Sequence, residues 1–233
     1  MRKIVLDAGT TWAKIAEHKS SSLMNNYREY FVKSENDYDY YILPSRELKN
    51  SDIMFDAATG HMSLNRLNNP NNYENEIIAL VKGFGKKNDK DTVILDMGSR
   101  DSKRVIFKNG KFKDLDWNNS CSSSTGATIE MLLKFYNLSV NDLKYTGDKY
   151  VITCGIFGLE RIMDDIAGGL EPAVAVSKFV HGIAYNAWVF AKKTDKLYLS
   201  GGFCENPCFV ESLKSYCDTV CAGRFLLCDG LID

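Results

Sequence analysis

The feature that most constrains this chain is a duplicated turn, each copy placed directly after a strand of buried type. Lys3-Ile4-Val5-Leu6 leads into Asp7-Ala8-Gly9-Thr10-Thr11-Trp12-Ala13-Lys14, and Thr92-Val93-Ile94-Leu95 leads into Asp96-Met97-Gly98-Ser99-Arg100-Asp101-Ser102-Lys103. Aligned without gaps, the two share Asp, Gly, a hydroxyl residue and Lys at the same offsets, as expected of matching hairpins in two related half-domains. Gly9 and Gly98 allow a tight turn whose N–H groups converge on an anion. Thr10, Thr11 and Ser99 add hydroxyl donors, and Asp7 and Asp96 have the chemistry to hold a hydrated Mg²⁺ against phosphates. A single Asp-x-Gly-Ser/Thr is as consistent with an ordinary turn. The repetition favours a phosphate grip.

A chain of 233 residues with 45% hydrophobic content can bury one large core or two modest ones. The 29 basic and 30 acidic residues nearly cancel, with no long basic run, so neither nucleic acid nor an anionic membrane is the expected partner. Asp7 interrupts the N-terminal apolar run early, unlike a secretory signal. The segment from Pro172 to Ala191 carries Lys178, His181 and Asn186 and reads as a core helix, not a membrane span. Seven cysteines without a signal suit a reducing, cytoplasmic setting, where thiols and metal ligands outnumber disulfides. Cys204, Cys208, Cys217, Cys221 and Cys228 crowd the end of the chain, and Cys121 and Cys154 stand apart.

Hydrophobic patterning predicts strands at Arg2–Leu6, Lys14–His18, Tyr27–Lys33, Tyr40–Leu43 and Ile53–Ala58, then a helix over Tyr73–Gly83. The polar stretch Gly85–Lys90 reads as a hinge, dividing the chain into an N-terminal half-domain, 1–88, and a C-terminal one, 89–233. The second half restarts with strand and hairpin. Asn109-Gly110 then joins strands Lys103–Lys108 and Lys111–Leu115. Helices follow over Ala127–Tyr136, from Val140, over Ile156–Ala167 and over Pro172–Lys192, the last with proline in its first turn. A strand at Lys196–Ser200 precedes Gly201-Gly202 and a helix over Pro207–Tyr216. Mixed sheets with helices after the strands define an α/β class.

The two Asp-x-Gly hairpins, with Gly201-Gly202-Phe203-Cys204-Glu205-Asn206 after a late strand, resemble the nucleotide site of the actin, sugar kinase and Hsp70 superfamily. Within it, Asp96-Met97-Gly98-Ser99-Arg100-Asp101-Ser102-Lys103 resembles the Asp-Ile-Gly-Gly-Gln-Asp-Ser/Thr-Lys signature of the activator ATPases of 2-hydroxyacyl-CoA dehydratases and benzoyl-CoA reductases. Cys121-Ser122-Ser123-Ser124-Thr125-Gly126 resembles their Cys-Ala-Ala-Gly-Thr-Gly, and Cys154-Gly155-Ile156-Phe157 their Cys-Thr-Val-Phe. The order matches across nearly the whole chain.

The resemblance implies two ribonuclease H-like half-domains with a nucleotide cleft between them, and an ATPase that delivers a low-potential electron. It implies ATP or ADP with Mg²⁺ at Asp7 and Asp96, and phosphate contacts from Gly9, Thr10, Thr11, Lys14, Gly98, Ser99 and Lys103. Arg100 and Asp101 join the catalytic group, Thr125 and Gly126 the nucleotide site, and Gly201, Gly202 and Asn206 the adenosine end. Cys121 and Cys154 are implied to ligate one [4Fe–4S] cluster shared across a homodimer. Both precede predicted helices, whose N-termini favour thiolates, and a cluster taking four thiolates is completed by two chains. The implied partners are a dehydratase or reductase as acceptor and reduced ferredoxin or flavodoxin as donor. Arg100 stands where the family has Gln, Ser99 where it has Gly, and the chain stops at Asp233 where relatives continue into a closing helix. The phosphate hairpins alone also suit a small-molecule kinase of the same superfamily or a redox-inactive nucleotide-dependent scaffold.

Overall fold

Each repeat opens on a strand with both faces covered. β1 (Ile4–Ala8) and β6 (Thr92–Met97) are buried along their whole length, which is why they read as continuous apolar runs. The computed structural model describes residues 1–49, 51–60, 63–85, 91–118, 126–153 and 155–232. Cys121, Thr125, Cys154 and most of the expected hinge lie outside these. The chain forms two units, Met1–Asn88 with Arg224–Asp233, and Asp89–Gly223.

In the first unit β1 pairs antiparallel with β2 (Trp12–His18) and parallel with β5 (Ala57–Thr59). β4 (Tyr38–Pro44) and β3 (Phe31–Glu35) extend the sheet, whose order is β3-β4-β2-β1-β5. Its core gathers Ile4, Leu6, Ile15, Tyr41, Leu43 and Phe55. Glu17 is buried at the end of β2, where Oε1 accepts from the Ser21 hydroxyl and the Leu23 and Met24 N–H groups, so its charge is hydrogen-bonded within the fold.

Helix α1 (Glu76–Phe84) starts at Asn75, whose side chain accepts from Ile77 N. It packs against α6 (Leu226–Leu231), so the last residues, assigned by sequence to the C-terminal half, belong with the first unit. Glycines set this crossing. A Cβ on Gly83 would lie 1.9 Å from Leu226 O, and one on Gly230 would lie 1.8 Å from Ala79 O.

In the second unit β6 pairs antiparallel with β7 (Ser102–Lys108) and parallel with β9 (Lys196–Gly201). β8 (Lys111–Asn118) and β10 (Asp218–Gly223) complete the order β10-β9-β6-β7-β8. Helices α2 (Gly126–Phe135), α3 (Gly155–Ala167), α4 (Pro172–Phe190) and α5 (Pro207–Lys214) belong to this unit. α4 is buried on most sides, as its apolar sequence requires. His181 on α4 is a core residue: its Nε2 meets Tyr216 Oη at 2.8 Å and its Nδ1 meets Asp148 O at 2.9 Å, while burial lowers its pKa. Among the described residues, no helix is long and apolar enough to cross a membrane.

Two predicted strands differ, and two unpredicted elements form. Residues 25–30 form a 3-10 segment, with Tyr27 and Tyr30 half-buried against the core, and the strand begins at Phe31 on a mostly exposed edge. Of the predicted strand Ile53–Ala58, only its end enters the sheet, as Ala57–Thr59. β10 and α6, unpredicted, both form.

Candidate functional site

The sequence repeat is a repeat in space. Asp7 lies opposite Lys14 across β1 and β2, and Asp96 lies opposite Lys103 across β6 and β7. On the other side of each leading strand a parallel neighbour ends in glycine. Asp7 is in register with Thr59, ahead of Gly60, and Asp96 with Ser200, ahead of Gly201. Both glycines have φ +91°, and a Cβ would strike the hairpin, 2.5 Å from Ala8 O at Gly60 and 2.3 Å from Met97 O at Gly201. Each unit thus places an acid, a lysine and a glycine corner at one end of its sheet. Gly60 is not among the site residues expected from sequence; strand register makes it the counterpart of Gly201.

At the first hairpin Asp7 is buried and accepts a 2.8 Å bond from Lys14 Nζ. Gly9 turns so tightly that a Cβ would lie 2.6 Å from Trp12 O. Ser45, unforeseen, buttresses the turn: its hydroxyl donates to Gly9 O at 2.7 Å and its N–H to Thr11 O at 2.9 Å. Thr10 is exposed and Thr11 half-buried. Cys228 packs beneath, donating to Lys14 O at 3.4 Å. Burial, with the nearby Asp7 carboxylate, pushes its thiol well above the usual range, so it stays protonated.

The second hairpin keeps the shared Asp, Gly, hydroxyl and Lys but differs between them. Where the first has Trp12, the second has Asp101, which draws Lys103 Nζ to 3.0 Å while Asp96 Oδ2 lies at 4.0 Å. Asp101 Oδ2 also accepts from Trp117 Nε1 at 2.8 Å, and Lys103 lies over the Trp117 ring. Both Asp101 oxygens are engaged with neighbours, an arrangement that positions the lysine. Arg100 is exposed at the tip and Ser99 half-buried beside it.

Two further segments converge on this hairpin. α2 begins against it, with Gly126 N–H donating to Gly98 O at 3.3 Å and Ala127 N–H to Ser99 O at 3.0 Å. A Cβ on Gly126 would lie 3.3 Å from Ser99 Cα, and one on Gly201 would lie 3.1 Å from Asp96 Oδ1. Gly98, Ser99, Gly126, Gly201 and Asp96 therefore meet within one unit. Asn206 has a structural task as well: its Oδ1 caps α5 by accepting from Phe209 N at 3.0 Å.

Carboxylate and hydroxyl oxygens beside tight glycine turns are the donor set that hydrated Mg²⁺ and phosphate take, so the residues present fit both. Among the described residues no group of three or more His, Cys, Asp or Glu is placed to hold a metal on protein ligands alone. Cys208 and Cys217 are buried apart, each donating to a backbone carbonyl.

The (R)-2-hydroxyglutaryl-CoA dehydratase activating ATPase of Acidaminococcus fermentans is 21% identical over 176 residues, spanning 71% of this chain and 67% of its own length. Among solved structures, the activator of the 2-hydroxyisocaproyl-CoA dehydratase from Clostridium difficile, with bound ADPNP, superposes with a TM-score of 0.73. It is 15% identical, over 99% of this chain and 92% of its own. The chain is similar to the dehydratase activator ATPases. Component A of the A. fermentans (R)-2-hydroxyglutaryl-CoA dehydratase gives a TM-score of 0.72 at 15% identity, over 99% of this chain and 96% of its own. The ethanolamine utilization protein EutJ from Carboxydothermus hydrogenoformans is more distant, with a TM-score of 0.53 at 13% identity, over 99% of this chain and 89% of its own. No protein-family model matches the sequence. The fold is thus that of the dehydratase activator structures over nearly the whole chain.

Proposed function

We propose that this chain is an ATP-dependent activator that passes a low-potential electron to a 2-hydroxyacyl-CoA dehydratase or benzoyl-CoA reductase type partner. The observation that carries this reading is the matched pair of Asp–Lys hairpins with glycine corners, in a chain similar to dehydratase activators in sequence and fold. The backbone N–H groups at Gly9-Thr10 and Gly98-Ser99 hold phosphate oxygens, with Thr11 adding a hydroxyl. Asp7 and Asp96 would hold hydrated Mg²⁺, which supplies charge stabilisation when bound, and Lys14 and Lys103 would balance charge. Gly201 and Gly202 leave room for the nucleoside, with Asn206 fixing the helix behind them, and Thr125 and Gly126 are assigned to the nucleotide site.

Cys121 and Cys154, with their counterparts in a second copy, would hold the [4Fe–4S] cluster, which supplies one-electron chemistry when bound. Two features support a homodimer at that position. α3 begins at Gly155, immediately after Cys154, and α2 at Gly126, shortly after Cys121. Both helices and their approach also present large apolar side chains to solvent: Val151 and Phe157 are 84% and 66% exposed, and Met131, Phe135 and Met163 are exposed as well. Exposed apolar surface of this kind marks an interface. The donor would be reduced ferredoxin or flavodoxin.

Anaerobic purification tests the reading. A brown protein with about four iron and four acid-labile sulfide per dimer, and with Mg-dependent phosphate release, is expected. Colourless protein without iron, or ATP turnover that appears only with an added hydroxyl acceptor, would move the chain to the scaffold or kinase classes.

Arg100 carries a second expectation. Because an exposed guanidinium stands where the family has Gln, basal hydrolysis should be slow, and Arg100→Gln should raise single-turnover phosphate release severalfold, roughly 3- to 10-fold, by positioning water. A fall in rate would assign Arg100 to stabilising transition-state charge instead.

A further inference from the structure

The turn after β9 and the neighbouring strand β10 each carry a thiol that the nucleotide chemistry does not use. Cys204 lies in the 3-10 turn Gly202–Glu205, directly after Gly201, and Cys221 lies on β10. Cys204 Sγ donates to Leu199 O at 3.2 Å. Leu199 is the residue paired with Cys221 across β9 and β10, and neighbouring strands run about 4.8 Å apart. Cys221 thus sits one strand away from the carbonyl that Cys204 contacts, within electrostatic reach of its thiol. Accessibility differs: Cys221 is exposed and Cys204 half-buried. The register between the strands shifts at Cys221 and Gly223, so this stretch of β10 is already irregular and has slack to move.

We propose that Cys204 and Cys221 form a reversible intramolecular disulfide that couples thiol oxidation to the Gly201-Gly202 corner. The oxidant is a low-molecular-weight disulfide such as glutathione disulfide. The exposed Cys221 thiolate attacks one sulfur of that disulfide, giving a mixed disulfide on Cys221 and releasing one thiolate. Cys204 then loses its proton to solvent and attacks Cys221 Sγ. The new S–S bond forms as the bond to the small thiol breaks, and a second thiolate leaves. Two protein thiols are oxidised and one small disulfide is reduced to two thiols.

Burial, and the negative charge of Cys221, push the Cys204 thiol up to about 12. Cys204 therefore reacts second, and the mixed disulfide on Cys221 removes the neighbouring charge that opposed its ionisation. Closing the bond takes Cys204 Sγ from Leu199 O and draws the turn toward β10. Gly201 is wedged against Met97 O and Asp96, so displacement of the turn reaches the second hairpin. This consequence for nucleotide binding rests on the function proposed above, whereas the disulfide does not.

The test is to oxidise the full chain with glutathione disulfide, block remaining thiols with iodoacetamide, and digest without reductant for mass spectrometry. A peptide cross-linked through Cys204 and Cys221 is expected, reversed by dithiothreitol and absent in Cys221→Ser. Calorimetric titration with Mg-ADP should show about tenfold weaker binding after oxidation, and no change on oxidation in Cys221→Ser. Both thiols remaining fully alkylated after prolonged oxidation would overturn the proposal, as would preferential pairing of either with another cysteine. A cross-link that leaves Mg-ADP affinity unchanged would overturn the coupling. A cross-link in a protein that binds no nucleotide when reduced would instead count against the proposed function and leave the disulfide standing.

Discussion

Asp96→Ala is expected to lower Mg-dependent ATP turnover by about 10²-fold or more, the scale of losing one preorganised charge contact in a phosphoryl-transfer site. Asp96 is buried at the end of β6, in register with Ser200, with Gly201 against its carboxylate. The substitution should not unfold the protein. Lys103 is buried too, but it keeps its 3.0 Å ion pair with Asp101, so its charge is not stranded when Asp96 is removed. Loss of activity with retained structure is therefore the expected signature, read as phosphate release beside circular dichroism. Mg-ADP titration should show weaker affinity at low magnesium that recovers as magnesium is raised. Turnover within about threefold of the parent would remove Asp96 from the site and leave the hairpin as a structural turn.

The legible part of this molecule is the part whose chemistry is local. Buried strands ahead of the Asp-x-Gly turns could be read because a strand covered on both faces must be apolar throughout. The hairpin at Asn109-Gly110 was equally plain, and both residues have positive φ. Tertiary relations were not legible. Gly60 gains its meaning only when register sets Thr59 beside Asp7, as Ser200 sits beside Asp96. Asn206 resembles a ligand in a linear motif, yet its side-chain oxygen caps α5 ahead of Pro207. Asp101 shares the Asp-Ser-Lys motif, but its contacts with Lys103 and Trp117 depend on β8 lying beside β7. β10 escaped notice because it is a short, mostly exposed edge strand without an apolar run. α6 was hidden by its own glycine, a residue that weakens an isolated helix and here permits a close crossing.

That crossing yields the largest expected effect on stability. In isolation Gly230→Ala should favour helix α6 by about 1 kcal/mol, since glycine is the poorer helix former. In the fold the added methyl would lie 1.8 Å from Ala79 O and 2.8 Å from Gly83 N, and both are backbone atoms that cannot rotate away. α1 and α6 would have to separate, prising apart an interface that buries Leu80, Phe84, Leu227 and Leu231. Overpacking of this kind costs roughly 3 kcal/mol, so the steric term exceeds the propensity gain and the net change is destabilising. For a chain of this size each kcal/mol moves Tm by roughly 2–4 °C, which puts the expected fall near 4–8 °C. Gly85→Ala is the matching control, because a Cβ there meets nothing within 4 Å at the exposed end of the same helix. It should leave Tm unchanged or raise it slightly. Differential scanning calorimetry of the two variants decides the matter: a Gly230→Ala protein as stable as its parent would mean that the helices cross at greater distance than the glycine pair indicates.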